Sequence, residues 1–150
     1  GNNAAFVTAT AALEHFWTDD ELTDSTDAKA EQVGRGLAAL VAAHGGLLEG
    51  VKGTGLIQGV LTPTSEVAAA ICNSAFEQGL IVETAGPLGE VVKLLPALTT
   101  SPAEIDEALS ILGAAIAQVE DDLDDELMTI KEGEADRLDR IAAGQMRSGS

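Results

Sequence analysis

With 150 residues, 45% of them hydrophobic, the chain has room for one domain with a true core and some residues left for a tail. Its 25 acidic against 8 basic residues give a net charge of -17, which excludes the basic footprint that nucleic acid or an anionic membrane surface needs and reads most simply as solubility. A single cysteine, Cys72, excludes an internal disulfide and a cysteine zinc cluster, and no apolar run approaches the roughly 20 residues of a membrane span.

Three Phe, one Trp and no Tyr leave the core to Ala, Leu, Val and Ile. No basic-plus-apolar leader opens the chain, so a cytoplasmic location is expected. Gly1 in place of Met reads as a processed or truncated start.

Asn2 or Asn3 can cap a first helix whose apolar face is Phe6, Ala9, Leu13, Phe16 and Trp17. Asp19, Asp20 and Glu21 open a second helix, with negative charge where the helix dipole favours it. Its stripe is Leu22, Ala30, Val33, Leu37, Leu40 and Val41, and Gly45-Gly46 stop it. Gly34 and Gly36 weaken that helix by about 1 kcal/mol each, or else mark close packing on a neighbour.

From Leu47 to Thr62 the period changes, and glycines at 50, 53, 55 and 59 punctuate two short strands joined by a turn. Pro63 is expected to start a third helix through Val67, Ile71, Ala75 and Phe76, ended by Gly79. Leu80 to Thr84 (LIVET) and Val91 to Leu95 read as strands around an Ala85-Gly86-Pro87 turn. Ser101-Pro102-Ala103-Glu104 is a capping box that launches a helix on Ile105, Leu109, Leu112, Ile116 and Val119.

Residues 120–150 then hold 10 acidic and 4 basic side chains and few large apolar ones, the composition of a tail, frayed helix or disorder. The expected fold is α/β of the α+β type, a small, mostly antiparallel sheet covered by helices on one side. A domain over 1–119 and an acidic tail over 120–150 follow.

Catalytic and metal constellations are not found. His15 and His44 lack second ligands at metal spacing, and Cys72 has no neighbouring His in sequence. The run from Glu120 to Glu126 lacks the spacing and the glycine turn of a calcium loop. Gly53-Thr54-Gly55 is more cheaply a turn than part of a phosphate loop. Lys93 stands apart, a cation inside the apolar run Val91-Val92-Lys93-Leu94-Leu95. Either it snorkels from an edge strand, or its ammonium binds an anion, such as a substrate carboxylate, at a cleft.

Four stretches in order resemble the class-III, fold-type I pyridoxal-phosphate-dependent aminotransferases: Gly1 to Leu13 (GNNAAFVTATAAL), Gly53 to Gly59 (GTGLIQG), Gly79 to Gly86 (GLIVETAG) and Val91 to Thr99 (VVKLLPALT). The last two are similar to the branch of that family that forms 2,4-diaminobutyrate for ectoine synthesis. The resemblance spans about residues 1–119 and implies the small domain of the fold. It implies pyridoxal phosphate, held mainly by a cofactor domain of the same chain. It further implies a second subunit, small amino-acid substrates, and amino transfer between glutamate and aspartate semialdehyde.

The family's Schiff-base lysine, the acid beside the pyridine nitrogen and the phosphate-binding threonine fall before Gly1, so no catalytic or cofactor-binding residue is expected here. Lys93 falls where many members carry an arginine that grips the substrate carboxylate, and is the one substrate-binding residue expected. The alternative is a non-catalytic binding or assembly module that reuses the small domain.

Overall fold

The computed structural model describes residues 2–148, with side chains for 2–137 and 140. Its elements are α1 (Asn3–Phe16), α2 (Glu21–Ala43), β1 (Gly50–Thr54), β2 (Ile57–Leu61), α3 (Ser65–Glu77), β3 (Glu83–Ala85), β4 (Val91–Leu94) and α4 (Pro102–Ser148). This is the order expected from the residue pattern.

The strands form one antiparallel sheet, ordered β1-β2-β4-β3. Alternation along β4 turns Val92 and Leu94 toward the helices and Val91 and Lys93 to the other face. Val60 and Val92, opposite each other in the sheet, are fully buried with Val33 and Leu37 of α2, Ile71 of α3, and Leu112 and Ile116 of α4. The core is thus aliphatic, and the helices that build it leave the second sheet face open.

The two glycines of α2 are packing positions. A Cβ on Gly36 would come within 2.3 Å of Leu109 Cδ1, and one on Gly34 within 3.1 Å of Gln58 Oε1. Their helix-propensity cost is offset by letting α2 sit close on α4 and the sheet.

Local chemistry sets the element ends. Asn2 caps α1, its side-chain oxygen accepting from the Ala4 N–H at 3.1 Å. Gly79 (φ +93°) lets the chain turn out of α3, where its N–H donates to Phe76 O and the Leu80 N–H to Ala75 O, the paired bonds of a Schellman ending.

At α4 the Ser101 N–H and hydroxyl both donate to Glu104 Oε2 at 2.7 Å, while the Glu104 N–H donates back to the Ser101 hydroxyl. Those bonds from Ser101 hold the Glu104 carboxyl below its ordinary range. A depressed folded pKa means stability that is present above the unfolded value and lost as pH falls through the folded one. Amide exchange over the first turn of α4 should therefore speed up relative to the helix middle as pH drops below about 4. Glu104→Gln should flatten that dependence, and an unchanged profile would refute it.

Three expectations need correction. The strand expected over Leu80 to Thr84 is confined to Glu83–Ala85. Leu80 is committed to the α3 ending, Leu80 and Val82 pack on the core, and Ile81 faces solvent, so ladder pairing with β4 begins only at Glu83. Pro63 does not start α3; Thr64 caps it, its hydroxyl accepting from the Val67 N–H at 3.4 Å. Phe76, placed on the buried stripe of α3, is 67% exposed, whereas Ser74 is buried and donates to Gln118 Oε1 of α4 at 2.9 Å.

Two further features lie toward the two ends of the described residues. α4 does not stop at Val119 but continues as one helix to Ser148, with the acidic run 120–126 helical. α1 buries none of its residues, and Phe6, Leu13, Phe16 and Trp17 are each at least 60% exposed.

Candidate functional site

The open face of the sheet carries a cleft of about 380 Å³, walled by Ile57, Ala85, Pro87 and Val91 and containing Lys52 and Lys93. Strand register places its charged groups. Lys52 of β1 lies opposite Gly59 of β2, Gly59 opposite Lys93 of β4, and Lys93 opposite Glu83 of β3. Directly opposed residues share a face, so these four form one row across the open face, and Lys52, Gly59 and Lys93 of them line the cleft.

Lys93 is central in that row rather than at an edge, and its side chain is 27% exposed. Its ammonium donates to Glu83 Oε2 at 3.1 Å. Glu83 is 72% exposed, so this pair is solvent-screened and contributes little to stability. It does hold the ammonium on the open face.

Gly59 keeps the floor low. A Cβ there would fall 2.2 Å from Val92 O and 3.0 Å from Lys93 Cα. Glu90 shapes the rim at the β3–β4 connection: its carboxylate accepts from the Leu88 N–H at 2.8 Å, and its backbone carbonyl accepts from the Thr62 N–H and hydroxyl.

The other sequence-derived candidates are not brought to this cleft. His15 stacks edge-on with Phe16 in α1. His44, at the end of α2, shares a 2.6 Å contact between Nδ1 and Glu120 Oε2 that ties α2 to α4. Cys72 is half-buried on α3, and burial first, then the negative charge of Glu83, pushes its thiol up, away from nucleophilic character. No group of three or more His, Cys, Asp or Glu side chains that could hold a metal occurs among the described residues.

Two polar groups gave no sequence signal. Lys29, a charged residue within a helical pattern, is buried on α2 and donates to Leu98 O at 2.6 Å, pinning the segment between β4 and α4. Gln58 reaches under α2 to donate to Ala30 O at 2.9 Å. Both depend on contacts between distant segments.

The residues present do not by themselves make a pyridoxal phosphate site. Among the described residues that line it, the cleft offers two ammoniums and a carboxylate and no helix N-terminus for a phosphate. The Gly53-Thr54-Gly55 turn is spent on closing the hairpin, with Gly55 at φ +58° in the first central position. What the face can do is bind and orient an anion.

This architecture is that of the small domain of fold-type I aminotransferases. Residues 1–116 match the family model for aminotransferase class-III, and the chain belongs to that family. N-acetylornithine aminotransferase from Stenotrophomonas maltophilia K279a superposes with a TM-score of 0.65 at 30% identity, over 79% of this chain and 32% of that one. The lysine aminotransferase from M. tuberculosis shares the fold with a TM-score of 0.63 at 24% identity, over 73% of this chain and 24% of that one.

Among curated proteins, the diaminobutyrate–2-oxoglutarate transaminase of Nocardia farcinica is 47% identical over 119 residues, covering 79% of this chain and 27% of that protein. The protein of the same name from Streptomyces anulatus is 43% identical over 118 residues, covering 79% and 28%. The chain thus spans a little over a quarter of the length of these relatives. No helix among the described residues is long and apolar enough to cross a membrane.

Proposed function

We propose that this chain is the C-terminal portion of a diaminobutyrate-forming aminotransferase, which moves an amino group between glutamate and aspartate semialdehyde in the ectoine pathway. Residues 1–119 act as the small domain with its preceding helices, and residues 120–150 as an acidic extension. The observation that carries the reading is the 47% identity to the Nocardia transaminase over 119 residues, 79% of this chain.

Pyridoxal phosphate, held by a cofactor domain of the same polypeptide, supplies the electron sink for transamination. Lys93 supplies the cation that holds a substrate carboxylate, close to the cofactor domain and a second subunit of a cytoplasmic oligomer. The exposed aromatic face of α1 is the surface that such a domain would cover.

On this reading the isolated chain is inert. Treating it with pyridoxal phosphate and borohydride should leave no stoichiometric pyridoxyl-lysine by intact-mass measurement, and efficient labelling of Lys93 would contradict that. The gene segment preceding residue 1 should encode a cofactor domain with its Schiff-base lysine; a reading frame without one sinks the proposal.

The exposed stripe of Phe6, Phe16 and Trp17 also favours a second reading, a non-catalytic assembly module built on the same small domain. Size-exclusion chromatography separates the two readings. A module should form a stable complex with a partner while its parent gene lacks any cofactor-binding segment.

A further inference from the structure

We infer that Lys52 and Lys93 together form a two-ammonium seat for a short-chain dicarboxylate, with Lys52 selecting for the second carboxylate. The inference rests on the reading of Lys93 as a carboxylate holder and assigns a role to a residue that reading does not use.

The chain has only 8 basic residues against 25 acidic ones, yet two of the 8 stand in one row of one cleft. Their strands are separated by β2 alone, so the two stems rise from positions about 10 Å apart, twice the usual strand spacing. Between them lies Gly59, which puts no side chain into the gap. Lysine stems are flexible and end in compact charges, so the two ammoniums can close on a ligand shorter than their separation. Ile57 and Val91 line the same cleft and offer apolar contact to the methylenes between two carboxylates.

Charge bookkeeping across the row supports two carboxylate positions rather than one. Lys93 already has Glu83 at 3.1 Å, while no ion-pair partner for Lys52 occurs among the described residues. Glu83 is exposed enough to swing into water at small cost when a ligand carboxylate takes its place on Lys93. A monocarboxylate bound there leaves Lys52 facing only solvent. A dicarboxylate brings a second carboxylate for Lys52.

The test uses the full chain labelled with carbon-13 at the lysine ε-carbon, titrated with glutarate and with butyrate at fixed ionic strength and followed by NMR. Glutarate should shift the signals of both Lys52 and Lys93 along one saturation curve and bind about fivefold more tightly than butyrate, the scale of one exposed ion pair. Lys52→Gln should remove that preference and leave butyrate binding as it was. Lys93→Gln should weaken both ligands.

Equal affinity for the two ligands, or a glutarate preference that survives Lys52→Gln, overturns the inference while leaving Lys93 in its role. Failure of either ligand to perturb Lys93 in the unsubstituted chain overturns both. Circular dichroism of each variant confirms that the fold is retained, as expected for a cleft lysine on the solvent face.

Discussion

On the proposed function, Lys93→Ala in the full-length aminotransferase is expected to lower kcat/KM for glutamate by about 10- to 100-fold. A hydrogen bond to a charged group contributes roughly 1.5–3 kcal/mol, and each 1.36 kcal/mol is tenfold in rate. Most of the loss should appear in KM if the carboxylate, which takes no part in bond making, is held about equally in ground and transition states.

Glu83→Gln should act in the opposite direction. It removes the anion that competes for the Lys93 ammonium, so KM for glutamate should fall by about twofold, the modest worth of an exposed pair. Steady-state kinetics with glutamate as varied substrate decide the matter. A Lys93→Ala enzyme within twofold of the parent would show that the ammonium only snorkels to solvent.

The division between what the residues announce and what the fold adds follows the range of the interactions. Ser101, Pro102 and Glu104 specify the start of α4 within four positions, and Gly79 specifies the end of α3 through bonds to residues at most four away. Such features are legible in sequence because both partners lie in one window.

The overextended strand at Leu80 to Thr84 has the converse cause. Its composition suits a strand, but Leu80 is bonded into the helix ending, and Leu80 and Val82 pack on the core, a tertiary demand. Lys93 was identifiable as an odd cation in an apolar strand, and the family resemblance pointed it to a cleft. The company it keeps was not identifiable, because Glu83, Gly59 and Lys52 join it only through strand register. Burial of Lys29 was hidden likewise, since its acceptor, Leu98 O, is 69 positions away.

Gly59→Ala should be a strongly destabilising single-methyl change in the middle of the sheet. The glycine sits in β2 between β1 and β4, and the new Cβ would fall 2.2 Å from Val92 O and 3.0 Å from Lys93 Cα. Both are backbone atoms, so a rotamer change cannot relieve the clash; β2 and β4 must part. Parting them strains the contact of Val60 with Val92, both fully buried under the helices. Overpacking of this kind costs about 3 kcal/mol, which for a chain of this size lowers Tm by about 6–12 °C.

Gly133→Ala is the control. That position is within α4 with nothing inside 4 Å of the added carbon, so alanine should strengthen the helix by about 1 kcal/mol. Thermal melts followed by circular dichroism should therefore move in opposite directions for the two variants. The strand separation caused by Gly59→Ala would also widen the gap between Lys52 and Lys93, so in the full-length enzyme KM for glutamate should rise even where the protein remains folded. A Gly59→Ala protein that melts within a degree or two of its parent would mean that β2 and β4 tolerate separation. The floor of the cleft would then not depend on a glycine.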